Sequence, residues 1–258
     1  MVAGVRLRSG AATDQAARET NEDTAWASDG LFLVADGMGG HEAGEVASRL
    51  AVEVVVERLT GAPAPATMDT VTRVVREAHR RVRALPSEGA RRPGTTLTGV
   101  VVTEHAGEPC WLVLNVGDSR TYRMAGGILE QLTRDHSEVA ELVEQGVLAA
   151  EDAARHPRRH VVTRVLGGGA SRVDPELRMF PVSRGDRMVV CSDGLTDALP
   201  DARVQAVLRT ERHPRAAAAR LVREALAAGA QDNVTVVVVD ATAVTRELGA
   251  PKPPDVAR

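Results

Sequence analysis

Aromatic side chains make up only 2% of the 258 residues. That shortage leaves no set of stacking residues for single-stranded nucleic acid. A basic excess is missing too: 35 acidic residues face 32 Lys and Arg, for a formal net charge of -3. A general nucleic-acid binder carries the opposite imbalance. Cysteine is scarce. Cys110 and Cys191 lie far apart, each in an apolar run, and read as buried free thiols, not as a disulfide or a zinc site. Long apolar runs are lacking. The longest, Val234 to Val239, is far short of the ~20 residues a membrane helix needs. Met1 to Gly10 alternates polar and apolar residues, with no h-region of a secretory signal. No internal repeat or long low-complexity segment is visible. The expectation is a soluble, cytoplasmic monomer that binds neither nucleic acid nor membrane.

What is present is ordinary globular material. Hydrophobic residues reach 43% and charged residues 26%, enough for a sizeable core and incompatible with a disordered or collagen-like chain. Residues 1–245 read as one domain and residues 246–258 as a flexible, proline-rich tail. Gly61 to Pro65 and Pro86 to Gly94 read as loops within that domain. Strand patterns fall at Gly4 to Ser9, Leu31 to Ala35, Leu97 to Thr103, Trp111 to Val116, Arg187 to Cys191 and Val234 to Val239. Thr121 to Met124 and Ile128 to Leu132 flank Gly126-Gly127 and predict a hairpin. Helical periodicity starts near Ala43 and again spans Met68 to Leu85, Asp201 to Arg209 and Arg215 to Ala228. Ser137 predicts the N-cap of a short helix. Paired helices between blocks of closely connected strands favour an α+β protein built on antiparallel sheets.

The informative residues are aspartates at the ends of apolar strands. Asp36 follows Leu31 to Ala35 and precedes Gly37. Asp118 follows the run that ends at Val116. Asp193 follows Met188 to Ser192, and Asp232 stands just before the last strand. Strands that converge in a packed sheet bring their end residues together. Clustered carboxylates raise one another's pKa and need countercharge, which divalent cations supply. An all-oxygen set suits Mg²⁺ or Mn²⁺, and no Cys/His cluster argues for zinc. Glycine after Asp36 lets the backbone come close and frees a carbonyl as a ligand. Asp-Gly is also a common turn dipeptide, so the weight rests on the combination.

In order along the chain stand Arg18-Glu19-Thr20-Asn21-Glu22-Asp23, Ala35-Asp36-Gly37-Met38-Gly39-Gly40-His41, Gly94-Thr95-Thr96, Gly117-Asp118-Ser119-Arg120, Leu132-Thr133-Arg134-Asp135-His136-Ser137, Val162-Thr163-Arg164-Val165-Leu166-Gly167, Ser192-Asp193-Gly194-Leu195-Thr196-Asp197 and Gln231-Asp232-Asn233. This series resembles the motifs of the bacterial PP2C-type (PPM) metal-dependent Ser/Thr protein phosphatases, from about Gly4 to Asp240. The resemblance implies an αββα sandwich of two antiparallel sheets flanked by helix pairs. It also implies two Mn²⁺ or Mg²⁺ ions. Asp36 is expected to bridge them, the Gly37 carbonyl to serve one, and Asp193 and Asp232 the other. Glu22 or Asp23 would hold water next to the ions. Asp118 and Asp197 match the ligands of a third ion found in many bacterial members.

Arg18 matches the family's phosphate-binding arginine, a role that suits a guanidinium fork. Met38 stands where eukaryotic members often carry a histidine proposed as general acid, and it has no proton to give. His41 and His136 read as structural. The implied reaction is hydrolysis of phosphoserine and phosphothreonine esters by metal-activated water, with no covalent intermediate. The implied partners are phosphorylated proteins, among them a Ser/Thr kinase. Two alternatives stand beside this reading. One is a catalytically inactive regulatory or binding module, against which the intact set Asp36, Asp193 and Asp232 argues. The other is a phosphatase dedicated to an anti-sigma-factor antagonist, whose relatives usually carry a sensory domain.

Overall fold

In the computed structural model, which describes residues 4–39, 42–61, 64–87, 92–153 and 155–245, the apolar runs become strands buried on both faces. The elements in chain order are β1 (Val5–Asp14), β2 (Asp23–Ser28), β3 (Leu31–Met38), α1 (Glu42–Leu59), α2 (Met68–Arg83), β4 (Gly94–Thr95), β5 (Leu97–His105), β6 (Glu108–Val116), β7 (Arg120–Ala125), β8 (Ile128–Gln131), α3 (Glu138–Glu144), α4 (Ala150–Ala153), β9 (Leu166–Gly167), β10 (Glu176–Pro181), β11 (Arg187–Cys191), α5 (Asp193–Ala198), α6 (Asp201–Thr210), α7 (Pro214–Ala227) and β12 (Val234–Val244). One sheet has five strands in the order β1-β12-β11-β7-β8. The other has seven, β10-β6-β5-β3-β4-β9 with β2 added on β3. The strand pairs are antiparallel.

Successive side chains on a strand point to opposite faces. In β12, Val236 and Val238 point to one apolar layer and Val237 and Val239 to another. In β6, Leu112 and Leu114 face one layer while Trp111 and Val113 face the other. Each sheet therefore separates two cores. The middle layer lies between the sheets and holds Phe32, Val100, Trp111, Met188 and Val237. One outer layer packs α1 and α2 on the seven-stranded sheet, the other packs α5, α6 and α7 on the five-stranded sheet. The result is the expected αββα sandwich. Burial on both faces is why these strands read as continuous apolar runs without alternation.

Helix α2 shows how local sequence selects its place. Thr67 caps it by accepting a hydrogen bond from the Thr70 N–H at 3.1 Å. Val71, Val74, Val75, Ala78 and Val82 form its buried stripe. Each fully buried valine or leucine contributes roughly 1.5–3 kcal/mol, so one such stripe outweighs the helix's weak intrinsic preference. At the start of α7, Pro214 occupies the first turn, where its missing N–H leaves no bond unmade.

Some expectations needed correction. The Leu31 strand does not stop at Ala35; β3 continues through Asp36 and Gly37 to Met38. Asp193 opens helix α5, a helix with no signal in the pattern. Strands β2 and β10 were not anticipated. Their segments, DTAWAS and ELRMFP, are only partly buried and carry no apolar run. The predicted hairpin and the Ser137 cap are both present, the latter accepting from the Ala140 N–H at 3.3 Å. His41 and residues 246–258 lie outside the described residues. Cys110 and Cys191 are free and buried. Among the described residues, no helix is long and apolar enough to cross a membrane.

Candidate metal centre

Strand direction brings the aspartates to one end of the sandwich. Strands β3 and β6 each pair antiparallel with β5, so their C-terminal ends point the same way. Asp36 lies near the end of the first, Asp118 just beyond the second. Strand β2 runs against β3 with Asp23 directly opposite Asp36. In the other sheet, β11 and β12 are antiparallel. Asp193 therefore leaves that sheet at the end where Asp232 enters it. The carboxylates from both sheets meet in a cleft of about 900 Å³. Its lining includes Arg18, Glu22, Asp36, Gly37, Met38, Asp118, Asp193, Asp197 and Asp232. All the site residues expected from the sequence are thus in one place except Asp23, which stands behind Asp36.

The electrostatics follow from that crowding. Burial pushes the Asp36 carboxyl well above the ordinary carboxylate range, and the charges of Asp23, Asp193, Asp118 and Asp232 push it further. Asp118 is raised well above that range by burial, then by Asp193 and Asp135. Burial, then Asp197 and Asp232, lift Asp193 to about 6. Asp23 rises to about 7, mainly through burial, although its hydrogen bond from Ser192 opposes the rise. Among the described residues, no basic side chain forms an ion pair with Asp23, Asp36, Asp118 or Asp193. The Arg18 guanidinium reaches Asp232 Oδ2 at 2.6 Å.

The backbone is gripped by residues that pattern reading gave no role. The Ser192 hydroxyl donates to Asp23 Oδ2 at 2.7 Å and accepts the Thr235 N–H at 3.0 Å. Buried Asn233 donates to the carbonyls of Gln15 and Thr20 and accepts the Glu22 N–H, at 3.0, 2.9 and 2.8 Å. One amide thereby ties the loop carrying Arg18 to the strand that follows Asp232. Ser192 and Asn233 belong to the motifs quoted above, so a signal existed for them. A Cβ built on Gly37 would collide with the Gly44 carbonyl, and one on Gly44 with the Glu22 carboxylate. Close approach of β2, β3 and α1, rather than a turn, is what requires glycine there.

On the rim, His160 Nδ1 lies 3.4 Å from Asp197 Oδ2. Ligand atoms of His160, Asp193 and Asp197 all lie within 4.8 Å of one another. His160 had no sequence signal, because it comes from the segment between α4 and β9. Exposed Arg159 lines the same wall. His136 is structural, as expected: it is buried, and its Nδ1 accepts the Gly117 N–H at 3.1 Å. Burial and the nearby Arg164 and Arg134 push its pKa down to about 4, so it is neutral at pH 7.

Divalent cations fit this site on its own chemistry. The donors at its centre are carboxylate oxygens, the hard ligands that Mn²⁺ and Mg²⁺ prefer. Asp193 Oδ1 and Asp23 Oδ1 are buried with no hydrogen-bond partner. Buried carboxylate oxygens are otherwise satisfied in nearly every native protein. Fixed cations would satisfy them and remove the mutual repulsion.

The two sheets, their outer helices and the carboxylate centre at the sheet ends define an αββα protein with a candidate divalent-cation site. The chain belongs to the protein phosphatase 2C family: the model of that family matches residues 7–229. It is 38% identical over 242 residues to the serine/threonine protein phosphatase PstP of Mycobacterium tuberculosis, covering 91% of this chain and 45% of that protein. The chain thus spans less than half the length of that relative. It is 33% identical over 217 residues to the serine/threonine phosphatase stp of Listeria monocytogenes, covering 81% of this chain and 84% of that one. The crystal structure of the PstP catalytic domain in complex with two manganese ions superposes with a TM-score of 0.79 at 35% identity, covering 91% of this chain and 97% of that chain.

Proposed function

We propose that this chain is a metal-dependent protein phosphatase. It hydrolyses phosphoserine and phosphothreonine esters on cytoplasmic proteins and opposes a Ser/Thr kinase, working as a monomer. The observation that carries the reading is the convergence of Asp36, Asp118, Asp193 and Asp232 on a cleft where Asp193 Oδ1 has no partner. Asp36, the Gly37 carbonyl, Asp193 and Asp232 would hold two Mn²⁺ or Mg²⁺ ions. Asp118 and Asp197 would serve a third. When bound, such ions supply Lewis acidity and lower the pKa of water to near neutrality.

The chain's own groups do the rest. Arg18 offers a forked donor at the cleft mouth, 58% exposed, where a phosphoryl dianion competes with Asp232 for it. Ser192 holds Asp23 behind Asp36, and Asn233 holds the Arg18 loop. Glu22 and Asp23, next to the ligands, would orient water. Met38 lines the cleft and gives no proton, so that position does not supply the leaving group's proton. Both thiols are buried away from the cleft, which fits direct hydrolysis without a cysteinyl intermediate.

The test is phosphate release from a phosphothreonine peptide with Mn²⁺, with EDTA and with the Asp193→Asn variant. Release that needs Mn²⁺ and is lost in the variant supports the reading. A folded wild-type protein that releases no phosphate with Mn²⁺ would overturn it in favour of the inactive module.

A further inference from the structure

Thr96 is the single residue between β4 and β5, two strands that both pair with β3. Strand β5 pairs with Leu31 to Val34, and β4 with Gly37 and Met38. Asp36 falls at the break between these ladders, where side chains complete the pairing. The Thr96 N–H donates to the Asp36 carbonyl at 2.9 Å. The Asp36 N–H donates to Thr96 Oγ1 at 2.9 Å, and the Thr95 hydroxyl donates to the Asp36 carbonyl at 2.8 Å. The same Thr96 hydroxyl lies 2.8 Å from Ser119 Oγ, the residue after Asp118. A Cβ on Gly117, the residue before Asp118, would come within 2.6 Å of the Thr96 methyl. Thr95, Thr96 and Ser119 are all fully buried.

We propose that Thr96 is a positioning residue for the metal centre, holding the Asp36 backbone and the Asp118 turn in one fixed relation. Both halves of its side chain are engaged. The hydroxyl joins Asp36 to Ser119, and the methyl packs on Gly117. Ligands from two strands then move as one unit, and the centre meets its ions without reorganising. Groups that orient metal ligands from behind typically contribute 10–100-fold to metal affinity or activity. The inference rests on the metal-dependent reading above.

The variants separate the two halves. Thr96→Val keeps the shape and removes the hydroxyl; Thr96→Ser keeps the hydroxyl and removes the methyl. Mn²⁺ binding by isothermal titration and steady-state kinetics on a phosphothreonine peptide are measured at 25 °C on wild type and both variants. The expected result for Thr96→Val is Mn²⁺ affinity weaker by roughly 10-fold or more, with a fall in kcat and little change in KM. Thr96→Ser returns both to within about threefold of wild type, as a hydroxyl-based role requires. A Thr96→Val protein that binds Mn²⁺ and turns over like wild type, whatever its melting temperature, overturns the proposal. So does Thr96→Ser failing as badly as Thr96→Val. If Thr96→Val does not fold, Ser119→Ala breaks the bridge from its other end, and unchanged Mn²⁺ binding there is the overturning result. Wild type that binds no Mn²⁺ sinks the metal-dependent reading itself. Wild type that binds, with variants that bind equally, sinks only the role of Thr96.

Discussion

Neutralising Asp193 should stabilise the metal-free protein while destroying its response to metal. Burial and its acidic neighbours raise this carboxyl from an ordinary value near 3.8 to about 6. A rise of that size corresponds to about 3 kcal/mol between the protonated and ionised forms. The unfolded chain releases the proton near 3.8 and the folded chain near 6. The folded state binds more protons in between, so stability is fully present below 3.8, falls as pH rises through 6, and levels off above. Asparagine has nearly the same shape and never ionises. In EDTA at pH 8, Asp193→Asn should therefore melt roughly 6–12 °C above wild type, at about 2–4 °C per kcal/mol for a chain of this size. At pH 5 the gain should shrink to about half, because the folded wild type is then largely protonated. With Mn²⁺ at about 1,000 times its dissociation constant, wild type gains about 4.1 kcal/mol, more than the variant's advantage of about 3 kcal/mol, and the order reverses, since the variant lacks a ligand. Scanning calorimetry at both pH values, with EDTA and with Mn²⁺, reads all four cases. A variant that melts at or below wild type in EDTA at pH 8 would refute the repulsion argument. So would a gain that is the same at pH 5.

Other tests probe different parts of the site. Arg18→Ala should raise KM for a phosphothreonine peptide about 10-fold, the scale of one charge-assisted hydrogen bond, and Arg18→Lys should recover only part of it; steady-state kinetics decides. Mn²⁺ binding should weaken as pH falls below 7, because Asp23 and Asp193 hold protons up to about 7 and about 6 that the ions must displace. Calorimetric titration in buffers of different ionisation enthalpy should show proton release on binding at pH 6, and less of it at pH 8. Iodoacetamide should leave activity intact, since burial pushes the Cys191 thiol up to about 12 and raises Cys110 as well; rapid inactivation of the folded enzyme would contradict this.

Legible in the chain alone were the strand and helix segments with strong period, the scarcity of competing chemistries, and the aspartates that matter. Val234 to Val239 and the Val71-to-Val82 stripe are legible because burial imposes a pattern on near neighbours. The ordered motifs named the family and, through it, the cleft residues. Pattern reading missed β2 and α5, whose segments are too polar or too short to carry a period; it ended the Leu31 strand at Ala35 and left Asp193 at a bare strand end. Which side chains meet depends on how the two sheets pack. Asp23 faces Asp36 through the register of β2 on β3. Arg18 reaches Asp232 across 214 residues, and Asn233 and Thr96 act through partners on distant segments. His160 enters the rim from a connection that no motif marks. The physical reason is one of range. Periodicity and capping are set by residues a turn or a strand apart, whereas a carboxylate cluster forms where separate strands end together, and only packed sheets establish that.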